Sequence, residues 1–100
     1  MGIYKSKPTQ IEAMQWDGSY GNAKEIIDWA GVNDGTITFH DGAEFLASHL
    51  LRVHTLRGIM KARKGDFIVK GIKGEFYSHK PDIFHATYEE ILLEESDDTG

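Results

Sequence analysis

The chain has no cysteine among its 100 residues. That excludes disulfides, zinc–thiolate sites and a thiol nucleophile, and it agrees with a reducing compartment. No apolar run approaches the roughly 20 residues of a membrane-spanning helix, and Met1 to Pro8 lacks the apolar core of a signal peptide. No membrane partner is therefore expected, and the expected location is the cytoplasm. Metal motifs are missing too. The five histidines form neither His-x-His nor His-Glu-x-x-His, so no metal site is assigned. No phosphate-binding loop is present, because Gly71-x-x-Gly74 lacks the Gly-Lys-Ser/Thr ending. No nucleophile elbow or triad signature occurs. His85-Ala86-Thr87 is a single His-x-Thr, and no other histidine is followed two places on by Ser or Thr. Two-histidine phosphoesterase chemistry needs that element twice. No residue is assigned a catalytic role and no cofactor is expected.

What is present suits one domain with one modest core. Residues 1–93 are expected to form it, and 94–100 to be a disordered acidic tail. Charge is segregated along the chain. Residues 1–51 carry three basic and seven acidic side chains, 52–80 carry eight and two, and 81–100 carry none and seven. A basic middle between acidic ends points to an anion-facing surface on the central hairpins, or to acidic ends folded over them. The net charge of −5 and the absence of an Arg/Lys-rich reading helix argue against specific DNA binding.

Local punctuation gives the fold class. Tyr4–Lys7 reads as a strand limited by Pro8. Residues 10–16 read as a second, with a change of apolar parity between Ala13 and Met14 that a bulge would produce. Ala23, Ile26, Ile27 and Ala30 form one helical stripe. Asn22 is its expected N-cap with Glu25 as capping-box partner, and Gly31 its positive-φ end. Strands follow at 36–40 and 43–47 about Asp41-Gly42, at 50–56 and 59–63 about Arg57-Gly58, and at 66–70 and 75–78 about Gly71–Gly74. Pro81 opens a helical turn through Phe84. Ala86–Leu93 is a last strand or helix anchored by Tyr88, Ile91 and Leu92. The expectation is an α+β domain. Its antiparallel sheet would be curved or a partial small barrel built from hairpins, with one N-terminal α-helix and a helical turn near residue 81.

The hairpins supply the candidate site. An even loop about Arg57-Gly58 sets Leu56 opposite Ile59, His54 opposite Lys61 and Arg52 opposite Arg63, with Val53, Thr55, Met60 and Ala62 on the core face. Like charges opposed across strands are unfavourable. A polyanion would reverse that sign, with Arg52 and Arg63 gripping phosphate bidentately. The next hairpin would oppose Lys70 to Glu75, Ile68 to Tyr77 and Asp66 to His79. Asp66 could then orient the His79 imidazole for acid–base work, or simply stabilise a turn. Tyr77, Trp16 and Trp29 could stack a nucleobase or belong to the core. The candidate ligand-binding set is Arg52, His54, Lys61, Arg63, Lys70, Tyr77 and His79.

Gly65-Asp66-Phe67-Ile68-Val69-Lys70-Gly71-Ile72-Lys73-Gly74-Glu75-Phe76-Tyr77, then Lys80-Pro81-Asp82-Ile83-Phe84 and Ala86-Thr87-Tyr88-Glu89, resembles a motif of small proteins encoded by tailed bacteriophages and prophages. Lys7-Pro8, Glu12-Ala13-Met14-Gln15-Trp16 and Ile26–Gly31 resemble its earlier segments. The match covers most of residues 4–90 and is most specific at 65–88. Lys64-Gly65 stands where the family has Pro-Gly, and Ser78-His79 where it has Pro-Cys, so thiol chemistry there is impossible. The resemblance implies origin, fold and a host bacterial cytoplasm rather than a mechanism. The expected function is a phage or prophage accessory protein that binds, sequestering a small anionic, nucleotide-type host defence signal as a homo-oligomer. Two alternatives are a protein–protein inhibitor of a host enzyme, and a small enzyme on nucleotides or RNA using His79 or His54.

Overall fold

The computed structural model describes residues 2–3, 10–41 and 49–90. The strands expected at Tyr4–Lys7 and 43–47, the anchors Ile91 and Leu92, and the acidic tail lie outside them. The described elements run β1 (Glu12–Gln15), α1 (Tyr20–Val32), β2 (Ile37–His40), β3 (Leu50–Thr55), β4 (Gly58–Ala62), β5 (Phe67–Lys70), β6 (Phe76–His79) and α2 (Pro81–Thr87). The protein is α+β. Its antiparallel strands divide into two three-stranded sheets, ordered β1-β5-β6 and β2-β3-β4. No closed barrel forms among the described residues.

β1 carries no bulge. Its four residues pair in unbroken register with β5, Glu12 opposite Lys70 through Gln15 opposite Phe67. The parity change has a different cause: the strand has an apolar neighbour on each face. Met14 faces the main core, with the buried Trp16 just beyond the strand, while Ile11 and Ala13 turn toward α2. Apolar residues therefore fall on both faces of the strand, while its end residues Glu12 and Gln15 stay exposed.

α1 begins three residues before the sequence suggested. Ser19 is the N-cap, and its hydroxyl accepts the Asn22 N–H at 3.1 Å. Asn22 instead turns its amide back, its Oδ1 accepting the Asp17 N–H at 2.8 Å. Hydrogen bonding to Ser19 holds the Asp17 carboxyl below its usual range. At the other end Gly31 stays inside the helix. Asn33 caps it, and Asp34 takes the left-handed conformation at φ 66°. The N–H groups of Asn33, Asp34 and Gly35 go to the carbonyls of Ala30, Gly31 and Ala30, and the Asn33 side chain reaches the Trp29 carbonyl. With the last carbonyls satisfied this way, the helix needs no glycine at its end.

The core draws on both sheets and α1. Trp16, Ala23, Ile26, Ala30, Leu51, Val53, Ala62 and Ile68 are wholly buried, and Phe76 nearly so. The Trp16 Nε1–H donates to the Ser19 carbonyl at 2.8 Å, and its ring meets Phe39 edge-on. Trp29 stands edge-on to Phe76, and its Nε1–H donates to Glu12. Both indoles are therefore committed to packing. No helix of the described residues is long and apolar enough to cross a membrane.

Candidate functional site

The β3–β4 hairpin turns one residue earlier than Arg57-Gly58 implies. Leu56 and Arg57 form the turn. Thr55 Oγ1 donates to the Gly58 carbonyl at 2.6 Å and accepts the Arg57 N–H at 3.1 Å. Gly58 is the first residue of β4, at φ 127°. A two-residue turn without left-handed residues splays its strands, and a glycine placed just after it restores their twist. Pairing therefore slips by two. Arg52 faces Lys61 rather than Arg63, and His54 faces Ile59. An even slip keeps every side chain on its expected face. Arg52, His54 and Lys61 are exposed on the outer face of the sheet, whereas Leu51, Val53 and Ala62 are buried beneath it.

Thr38 of β2 lies opposite Arg52. Thr38 Oγ1 also pairs with His40 Nε2 at 3.0 Å, so this histidine borders the same face. Arg63 follows β4 directly and is exposed. Met60 was expected in the core but is 38% exposed, beside Leu56 at 97%. The hairpin tip runs past the buried layer.

In the β5–β6 hairpin the slip is odd. The loop is Gly71–Glu75, so Lys70 faces Phe76, Val69 faces Tyr77, Ile68 faces Ser78 and Phe67 faces His79. The expected Lys70–Glu75 and Asp66–His79 pairs do not form. Glu75 turns into its own loop, where Oε1 accepts the Lys73 N–H at 3.1 Å. Asp66 is only 3% exposed. Its Oδ2 accepts the Arg63 N–H at 2.9 Å and lies 3.5 Å from Lys80 Nζ. The carboxylate holds a turn and orients no imidazole.

The seven candidates thus occupy three places. Arg52, His54 and Lys61 share the outer face of β2-β3-β4, with Arg63 at its end. Lys70 shares a sheet face with Ile68 and Phe76. Tyr77 and His79 lie on the opposite face of that sheet, where their rings meet edge-on and His79 approaches Tyr88. A hollow of about 510 Å³ brings Tyr77 beside the tip residues Thr55–Met60, but none of the four basic-face residues lines it.

Burial pushes the Tyr77 phenol up to about 12, and the hydrogen-bonded Tyr88 phenol pushes the same way. A folded-state value above the unfolded value of about 10 favours the neutral phenol in the fold. Its stabilisation is complete below pH about 10 and disappears as pH rises through about 12. Urea melts across this window should show the loss in the native chain. Tyr77→Phe should flatten that part of the pH dependence; an unchanged slope would place its cause elsewhere.

The hollow that sequence reasoning missed lies on α2's side of the first sheet. About 620 Å³ in volume, it is lined along β1 by Gln10, Ile11, Glu12, Ala13 and Gln15, and opposite by Phe67, Phe84, His85, Tyr88, Glu89 and Glu90. Phe67 and Phe84 stack face to face at 3.9 Å, and Tyr88 tilts onto Phe84. The signal was the out-of-phase Ile11 and Ala13, which a second covering layer explains as well as a bulge. Phe84 and Tyr88, four apart, supply that layer.

Among the described residues, no three His, Asp or Glu side chains are placed to hold a metal. Compared with known proteins, the chain matches no family model, no curated protein and no solved structure.

Proposed function

We propose that the protein acts by binding an anionic ligand of nucleotide type on the outer face of β2-β3-β4. One observation carries this reading: Arg52 and Lys61 are direct cross-strand partners. The ion pairs among the described residues are His49–Asp41 and Lys80–Asp66, and neither neutralises this pair. Two like charges held opposite each other destabilise the hairpin slightly. A phosphate group between them reverses the sign, with the Arg52 guanidinium as a two-pronged donor and Lys61 as a point charge. His54 and His40 add ring donors or acceptors at the margins.

Among the described residues the face is an exposed pleated surface, and a second copy closing over it encloses a compact ligand. The half-exposed Ile59 on the same face supplies apolar area for that contact. With the motif resemblance to small phage proteins, this supports sequestration of a nucleotide-type signal by a homo-oligomer in the host cytoplasm. The exposed Leu56 beside the basic face favours a second reading, in which the hairpin tip grips a host protein.

Lys61→Glu separates function from fold. It converts a like-charge pair into an opposite-charge one and should raise stability by about 0.2–1 kcal/mol. Calorimetric titration with a panel of linear and cyclic nucleotides should show binding by the native chain, weakening as salt rises, and none by the variant. No binding by a well-folded native chain, or equal binding by both, would sink the proposal.

A further inference from the structure

The groove beside α2 is independent of the basic face and has the features of a strand-binding site. Among the described residues, β1 is at the edge of its sheet and pairs with β5 alone. The Trp16 N–H donates to the Asp66 carbonyl at 3.0 Å, which fixes the phase of the ladder. Even-numbered residues direct their backbone groups at β5. Alternation in an antiparallel pair then turns the N–H and C=O groups of Ile11, Ala13 and Gln15 outward. No second strand partner takes them among the described residues. The same three residues line the hollow of about 620 Å³.

Across it, Phe84 and Tyr88 offer an aromatic wall. Glu12, Glu89 and Glu90 line it as well, and among the described residues no lysine or arginine does. An unpaired edge gives main-chain hydrogen bonds to any extended chain. The aromatic wall takes its apolar side chains, and the carboxylates select its charge. A second copy of this chain fits poorly, because pairing two β1 edges brings one acidic rim onto another.

We propose that this groove binds an extended peptide segment of another protein, added as a strand to the free edge of β1. Its alternate apolar side chains seat on Phe84 and Tyr88, the Lys or Arg residues between them emerge on the other face toward Glu12, and the carboxylates of Glu89 and Glu90 add to the field that attracts them. One Glu12 carboxylate oxygen already accepts the Trp29 N–H at 3.2 Å, which steadies that side chain for its role.

The test uses the full chain, isotope-labelled, and two short peptides: one alternating valine and lysine, the other valine and glutamate. The lysine peptide should bind with micromolar affinity and shift the amides of Ile11, Ala13, Gln15 and Tyr88. The glutamate peptide should not bind. Glu89→Lys with Glu90→Lys should weaken the lysine peptide by about tenfold or more. Ala13→Pro should abolish binding while keeping the fold, because the N–H it removes points away from β5. Tyr88→Ala, which leaves the strand untouched, provides a second loss-of-binding variant should Ala13→Pro fail to fold. Binding of neither peptide, equal binding of both, or shifts confined to the face of Arg52 and Lys61 would overturn the proposal. So would self-association of the native chain that Ala13→Pro removes, since that outcome assigns the edge to a second copy.

Discussion

Replacing Trp16 by alanine is expected to cost about 3–5 kcal/mol, a large share of the roughly 5–15 kcal/mol available to a domain of this size. The indole is wholly buried and is the largest side chain in the core. Its ring supports Phe39, and its N–H satisfies the Ser19 carbonyl at the entrance to α1. Its backbone also bonds the turn before β5, donating to the Asp66 carbonyl and accepting the Gly65 N–H. Alanine keeps those backbone bonds but leaves a void where sheet and helix meet. Trp16→Phe fills most of the void and loses the indole N–H bond, so its cost should be smaller. The Ser19 carbonyl still accepts the Ala23 N–H, so it is not orphaned. Urea unfolding followed by circular dichroism gives the two values. A loss below about 1 kcal/mol for alanine, typical of a surface position, would remove Trp16 from the core.

Two glycines four residues apart should respond with opposite signs to one added methyl group. Gly35 lies after the turn that leaves α1, and a Cβ there would run into the Phe76 ring. That ring is 3% exposed and set edge-on against Trp29, so it has no free direction in which to move. Gly35→Ala is expected to cost about 1–3 kcal/mol, the range of overpacking in a tight core. This corresponds to a drop in Tm of roughly 10 °C for a domain of this length. Backbone strain plays no part, because Gly35 does not have a positive φ. Gly31 is in the exposed last turn of α1, with nothing near its missing side chain. Gly31→Ala should stabilise by about 0.5–1 kcal/mol, the usual preference of a helix interior for alanine. Thermal melts of the two variants check the pair. A stable Gly35→Ala would mean that Phe76 has room to turn.

Local signals carried much of the fold. The stripe of Ala23, Ile26, Ile27 and Ala30 located α1, and Pro81 located the start of α2. Glycine-marked turns separated the strands. Register was less legible, and for a physical reason. A turn signal says that the chain reverses but not at which residue it does so or how many residues it spends. At Leu56-Arg57 the turn came one residue early, which slipped the register by two, and the basic face survived with new partners. In the Gly71–Glu75 loop the slip was one, and both expected charge pairs vanished. The basic face was readable because Arg52, His54 and Lys61 lie on two adjacent strands of one hairpin. The groove was not, because Ile11, Phe67 and Tyr88 come from distant parts of the chain. Nothing local in the sequence joins them.

Asp66 has a consequence beyond its turn. Arg63 leaves the second sheet, Asp66 enters the first, and Lys80 immediately precedes α2. One buried carboxylate meets all three. Opening either sheet alone would draw this buried side chain away from its fixed partners before the rest of the fold had let go. The two sheets are therefore coupled as a single cooperative unit, and the smallest opening that frees one of them also loosens the helix.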